Sequence, residues 1–251
     1  MLDIQNINCK SSKNFDLNIP KLHLKPGQVI SVLGQNGAGK STFLRMLAGD
    51  YTYTGDLSLH RKCLNQYKAL DRARHIAMLT QDYTLNFAFK AIEVVALGAS
   101  PLQMHATTIQ QVADENMRCF DCHLFKERYF FDLSGGQQQR VQLARLLVQV
   151  SQAPQHPILL LDEPISAQDL KYQHQVMQRL QHLAVTKNYL IFVVLHDLTH
   201  ALHYSHYSLI FHQGNLVQQG PTQETLTPHN IEKYWDYKPQ KLSAGKTNFF
   251  F

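Results

Sequence analysis

The string Gly34-Gln35-Asn36-Gly37-Ala38-Gly39-Lys40-Ser41-Thr42 constrains this chain more than any other. It fits G-x-x-x-x-G-K-[ST], a loop whose glycines let successive backbone N–H groups turn inward and close on phosphate oxygens. The apolar run Val29–Leu33 precedes it, and Lys40-Ser41-Thr42-Phe43-Leu44 reads as the first turns of a helix. Such a helix points its positive end at the same phosphates. In this arrangement Lys40 reaches the β- and γ-phosphates of a nucleotide, and the Ser41 hydroxyl serves Mg²⁺.

Three further apolar runs end in the same manner. Ile76–Thr80 leads into Gln81, Ile158–Leu161 into Asp162-Glu163, and Leu190–Leu195 into His196. Short unbroken runs of this kind suit strands of a parallel sheet buried on both faces. In open α/β sheets ligands bind at the carboxyl edge, where all of these polar residues fall. Asp162 suits Mg²⁺, directly or through water. Glu163, one residue later and turned elsewhere, suits polarising an attacking water as general base. From about residue 87 to residue 150 the texture is helical, with Ala91–Leu97 and Val141–Val150 carrying apolar residues at helix spacing. This reads as a helical subdomain inserted in the α/β core of a single domain, 1–251. Beyond His196 the pattern predicts a helix (Leu198–Tyr204), a strand (Ser208–Phe211) and a turn at Gly214-Asn215.

Composition excludes several alternatives. The 251 residues carry a net charge of +5 but no dense Lys/Arg stretch, so no nucleic-acid partner is expected. The opening MLDIQNINCK lacks an apolar signal region, and no apolar run approaches the roughly 20 residues of a membrane span. The expectation is a cytosolic protein, held at a membrane only by a partner. Cys119-Phe120-Asp121-Cys122-His123 fits the C-x-x-C-H of covalent haem attachment, but that chemistry belongs to exported chains. Cys9, Cys63, Cys119 and Cys122 are expected as free thiols, since a disulfide framework does not suit a reducing cytosol.

Leu133-Ser134-Gly135-Gly136-Gln137, followed by Gln138-Gln139-Arg140, resembles the signature sequence of ABC transporter ATPases. The resemblance covers nearly the whole chain, with the other motifs in the family's order. It implies a P-loop NTPase (RecA-like) α/β core with an antiparallel β portion and an inserted α-helical subdomain. ATP is the implied substrate, with Mg²⁺ as cofactor. Gln81 is then the lid glutamine that contacts Mg²⁺ and senses a membrane partner, and His196 the switch histidine near the γ-phosphate. Ser166-Ala167-Gln168-Asp169 falls at the inter-subunit loop, with Gln168 where the family usually has Leu. Ser134, Gly135, Gly136 and Gln137 then form a second phosphate site at a helix N-terminus, closing over ATP held by the other protomer of a homodimer.

Gln139-Arg140-Val141-Gln142-Leu143-Ala144-Arg145, Glu93–Gly98 and Val194–Leu198 are similar to the bacterial importers for haem, ferric siderophores and cobalamin, most of all to the haem-import ATPases. Those ATPases also carry extra residues where Ser151–His156 stands here. The partners so implied are two membrane permease subunits and, indirectly, a periplasmic haem-binding protein. The implied location is the cytoplasmic face of the bacterial inner membrane.

Two further expectations concern side chains outside these motifs. The family stacks adenine on an aromatic residue ahead of the P-loop, yet Cys9–Asn14 contains none; Phe15 is the nearest candidate, but it stands several residues late and reads as part of the first strand's core. Little base stacking and poor ATP/GTP discrimination are therefore expected. His200, His203 and His206 are read as a solvated helix face rather than a ligand set, and Tyr83, Phe87 and Phe89 as membrane-partner contacts or core.

Overall fold

The computed structural model describes residues 1–12, 15–81, 88–239, 241–244 and 247–250. The chain opens with an antiparallel pair, β1 (Leu2–Ser12) and β2 (Phe15–Leu24), then β3 (Gln28–Leu33), which runs into the glycine-rich loop and α1 (Lys40–Ala48). β4 (Tyr53–Leu59), β5 (Lys62–Cys63), α2 (Ala69–His75) and β6 (Ile76–Leu79) follow. The next segment is helical: α3 (Ala91–Ala96), α4 (Ala106–Cys119) and α5 (Gly135–Gln149), joined by short 3-10 turns. The chain returns through β7 (Ile158–Asp162), α6 (Leu170–Lys187), β8 (Leu190–Val194), α7 (Leu198–Tyr204), β9 (Tyr207–His212) and β10 (Asn215–Pro221).

Among the described residues ten strands form one sheet in the order β5-β4-β1-β2-β10-β9-β3-β8-β7-β6. β9, β3, β8, β7 and β6 are mutually parallel, and β5-β4-β1-β2 supply the antiparallel portion. The parallel strands are apolar throughout because both faces are covered. Side chains alternate between faces, so Val29 and Leu33, Leu159 and Leu161, and Ile191 and Val193 join the core shared with α3–α7. Ile30 and Val32, Ile158 and Leu160, and Phe192 and Val194 join the core under α1. Phe43 of α1 seals that second core edge-on to Phe192 at 5.7 Å and tilted on Phe211 at 5.1 Å.

The β9–β10 turn occupies Gln213-Gly214, one residue earlier than the sequence suggested, and Asn215 already pairs with His212. Both turn residues have positive φ, 48° and 77°. A two-residue hairpin that follows the sheet's twist demands that backbone. A second correction concerns His200, which is buried rather than solvated, its ring 5.2 Å from His174 of α6. His203 remains exposed. Helix α7 therefore turns its His200, Ala201 and Tyr204 side inward, and His206 lies beyond the helix, where its Nδ1 accepts from the Val29 N–H at 3.0 Å. Among the described residues no group of three or more His, Cys, Asp or Glu is placed to hold a metal.

The four cysteines are free. Cys122 is buried and its thiol is pushed up to about 12 by burial, so it is an inert core group. Phe89 packs against the core, while Tyr83 and Phe87 lie outside the described residues.

Candidate functional site

The carboxyl ends of β3, β7 and β8, with Gln81 just beyond β6, meet around a cavity of about 570 Å³. It is lined by Phe15, Asn36, Gly37, Gly39, Lys40, Ser41, Thr42, Gln81, Glu163 and His196. The loop from Gly34 to Gly39 makes its floor. A Cβ on Gly34 would stand 2.2 Å from the Phe211 carbonyl oxygen, and its φ is +143°, so only glycine lets the chain leave β3 here. Lys40, buried at the start of α1, donates to the carbonyls of Gly34 (2.8 Å) and Gln35 (2.9 Å). An ammonium has three N–H groups, so one is left for a ligand oxygen. Burial lowers the Lys40 pKa, opposed by the charges of Glu163 and Asp162.

Asp162 ends β7 and Glu163 follows it in the left-handed region, φ +52°. That reversal sends consecutive carboxylates to different places. Asp162 is buried, and burial raises its pKa while a hydrogen bond with Ser41 opposes the rise. Its Oδ1 is buried without a hydrogen-bond partner among the described residues. A hydroxyl beside a carboxylate with an unmatched oxygen is a hard, oxygen-only donor set, which fits Mg²⁺. Glu163 turns instead toward β8's end. Its Oε1 lies 2.6 Å from His196 Nε2, and Gln81 Nε2 donates to its Oε2 at 3.4 Å. β7 and β8 are parallel neighbours with Asp162 opposite Val194, which is why Glu163 and His196 meet.

Three expected residues are therefore joined by direct contacts across the cavity, namely Gln81, Glu163 and His196. The signature residues are not among those lining it. Ser134 caps α5: its Oγ accepts from the Gln137 backbone N–H at 3.3 Å, and Gln137 Oε1 accepts from the Ser134 N–H at 3.0 Å. Ser134 and Gly135 are exposed, leaving this helix N-terminus open to solvent. Asp169 caps α6 through the Tyr172 N–H at 3.1 Å.

Phe15 corrects one expectation in part. It heads β2, not the first strand, and lies in the cavity wall as well as against the core under α1. Alternation with Leu17 and Ile19 marks it as core-facing. Only its place at the strand's end, where Gly39 passes within reach, turns it onto the cavity: a Cβ on Gly39 would stand 3.0 Å from Phe15 Cζ. The sequence also passed over Gln139, whose Nε2 donates to the Glu163 carbonyl at 2.9 Å. No local signal joins residues 24 positions apart.

The ABC transporter family pattern matches residues 17–166. The chain is 37% identical over 241 residues to the hemin import ATP-binding protein HmuV of Shewanella denitrificans, covering 96% of this chain and 95% of that one. It is 40% identical to HmuV of Vibrio cholerae, over 86% of this chain and 83% of that one. Among solved structures it resembles a transporter described as of the metal-chelate ABC type, in an inward-facing conformation. The TM-score there is 0.82 at 25% identity, covering 99% of this chain and 95% of that one. The dimeric structure of MJ0796, a bacterial ABC transporter cassette, matches with TM-score 0.77 at 24% identity, over 88% of this chain and 99% of that one. With a phosphate loop, paired carboxylates and histidine on one sheet edge, the chain belongs to the ABC transporter family as an ATP-hydrolysing subunit.

Proposed function

We propose that this chain energises haem uptake across a bacterial inner membrane, as one of two identical ATPase subunits beneath two permease subunits. The observation that carries the cargo is the 37–40% identity, across most of both chains, to proteins named for hemin import. A periplasmic haem-binding protein then delivers cargo on the far side, and the ATPase sits peripherally on the cytoplasmic face. Among the described residues no helix is long and apolar enough to cross a membrane; in this reading the permease subunits are its attachment.

In this reading the backbone N–H groups of Gln35–Ser41 and the Lys40 ammonium bind the β- and γ-phosphates, with Thr42 beside them. Ser41, Asp162 and Gln81 would hold Mg²⁺, which would supply charge neutralisation on the phosphate oxygens. Glu163 accepts the proton of the water that attacks the γ-phosphorus, and His196 fixes the carboxylate's orientation beside that phosphate. Ser134, Gly135, Gly136 and Gln137 of one protomer close over the ATP held by the other, with Asp169 in the inter-subunit loop. The helical insertion at about 87–150 carries that signature segment, and its rotation toward the α/β core is the stroke passed to the permease. The support for Glu163 as base is its placement: a carboxylate at the cavity wall, beside His196 and apart from Asp162.

Reconstitution with the permease subunits in liposomes tests the cargo. ATP turnover is expected to rise with a haem-loaded binding protein. Stimulation by a ferri-siderophore or cobalamin carrier, and none by haem, moves the chain to a sister branch.

A further inference from the structure

Glu163 holds a backbone conformation, φ +52°, that a glutamate adopts only when its surroundings impose it. Three donors converge on its carbonyl oxygen: Gln139 Nε2 at 2.9 Å, Ser166 Oγ at 3.1 Å and the Ser166 N–H at 3.4 Å. Gln139 is only 5% exposed and sits on α5, the signature helix, whereas Glu163 follows β7 of the core. The Gln139 Oε1 is buried without a partner among the described residues. A buried amide with an unmatched oxygen is costly against an apolar side chain of similar size. What the residue contributes is therefore its N–H on the Glu163 carbonyl.

The same loop is tied to α5 a second time. Gln168, also buried, donates through Nε2 to the Gly136 carbonyl at 2.9 Å. A Cβ on Gly136 would stand 2.8 Å from the Ala167 carbonyl oxygen, so the two backbones meet with no room for a side chain between them.

We propose that Gln139, aided by Ser166, is a positioning residue for hydrolysis: it pins the Glu163 backbone to the signature helix of the same protomer. The carboxylate then follows that helix, so a signature segment engaged on the neighbouring ATP fixes the base at its own protomer's ATP. This rests on the reading of Glu163 as the base.

Gln139→Met keeps the side chain's length and removes the donor. The expected result is unchanged ATP affinity and KM, with kcat falling roughly 10- to 100-fold, the range that a small misplacement of a reacting group produces. Ser166→Ala, at an exposed position that leaves the fold intact, loses kcat by a smaller factor in the same direction. If Gln139→Met does not fold, Ser166→Ala carries the test alone. In a Glu163→Gln background neither change lowers the residual rate further, because residues acting through one group are not additive. Wild-type kcat in the folded variants, or the same fold-loss with Glu163 already replaced, overturns the proposal. Near-normal turnover in Glu163→Gln alone overturns instead the reading of Glu163 as the base.

Discussion

Replacing Phe15 by alanine removes the only Phe, Tyr or Trp ring among the described residues that line the phosphate-loop cavity. The ring stands against Gly39, immediately before the Lys40 that opens α1. The stack proposed is of a purine, joined to phosphates held by that loop, on this ring. An aromatic stack contributes about 0.5–1.5 kcal/mol beyond area burial, which corresponds to a rise in Kd of roughly 2- to 13-fold. Every base presents a π-face, so ATP and GTP are expected to weaken by the same factor and discrimination between them to stay poor. Titration calorimetry of both nucleotides against wild type, Phe15→Ala and Phe15→Tyr measures this, with Phe15→Tyr retaining wild-type affinity. Because Phe15 also packs against the core under α1, melting curves must accompany the titrations. Unchanged Kd values in a folded Phe15→Ala protein refute the stack. A loss confined to ATP shows that the wall reads the base edge rather than its face.

Ser134→Arg places a long cation at the exposed head of α5; ATP binding persists while hydrolysis is lost, and a variant that turns over normally as a monomer refutes the two-protomer site. Asp197 caps α7 through the N–H groups of Thr199 (2.7 Å) and His200 (3.3 Å). The His200 imidazole and the Thr199 N–H hold its pKa down to about 2. A depressed carboxylate pKa gives stability present above the unfolded value near 3.9 and lost as pH falls toward about 2. Asp197→Ala is therefore expected to cost about 1 kcal/mol at neutral pH, a melting shift of roughly 2–4 °C, whereas Asp197→Asn retains most of the cap. Equal melting temperatures for Asp197→Ala and wild type at pH 7 contradict this.

The parts of the site legible in the sequence are those with local causes. Gly34–Ser41 is a backbone requirement written as glycines, and β3, β7 and β8 announce themselves because burial on both faces forces unbroken apolar runs. That Glu163 and His196 touch follows from β7 and β8 being neighbours, a matter of strand order that motif order alone does not state. What was missed depends on tertiary placement. Phe15 reads as an ordinary core-facing strand residue until the loop at Gly39 is laid against it. His200 reads as surface until α6 covers it. Gln139 is a glutamine among glutamines in the run Gln137–Gln139, and nothing nearby marks it as the one that reaches Glu163.

The central claim is that Glu163 drives hydrolysis within an ATP-bridged pair of identical subunits. Glu163→Gln, incubated with ATP and Mg²⁺ and run on size-exclusion chromatography with light scattering, tests both halves of it at once. The expected result is a stable dimer that retains unhydrolysed ATP, a monomer when nucleotide is withheld, and turnover reduced by two or more orders of magnitude, about the 10²–10⁴-fold contribution of a general base. A Glu163→Gln protein that remains monomeric with ATP bound, or that hydrolyses at a near-normal rate, contradicts it.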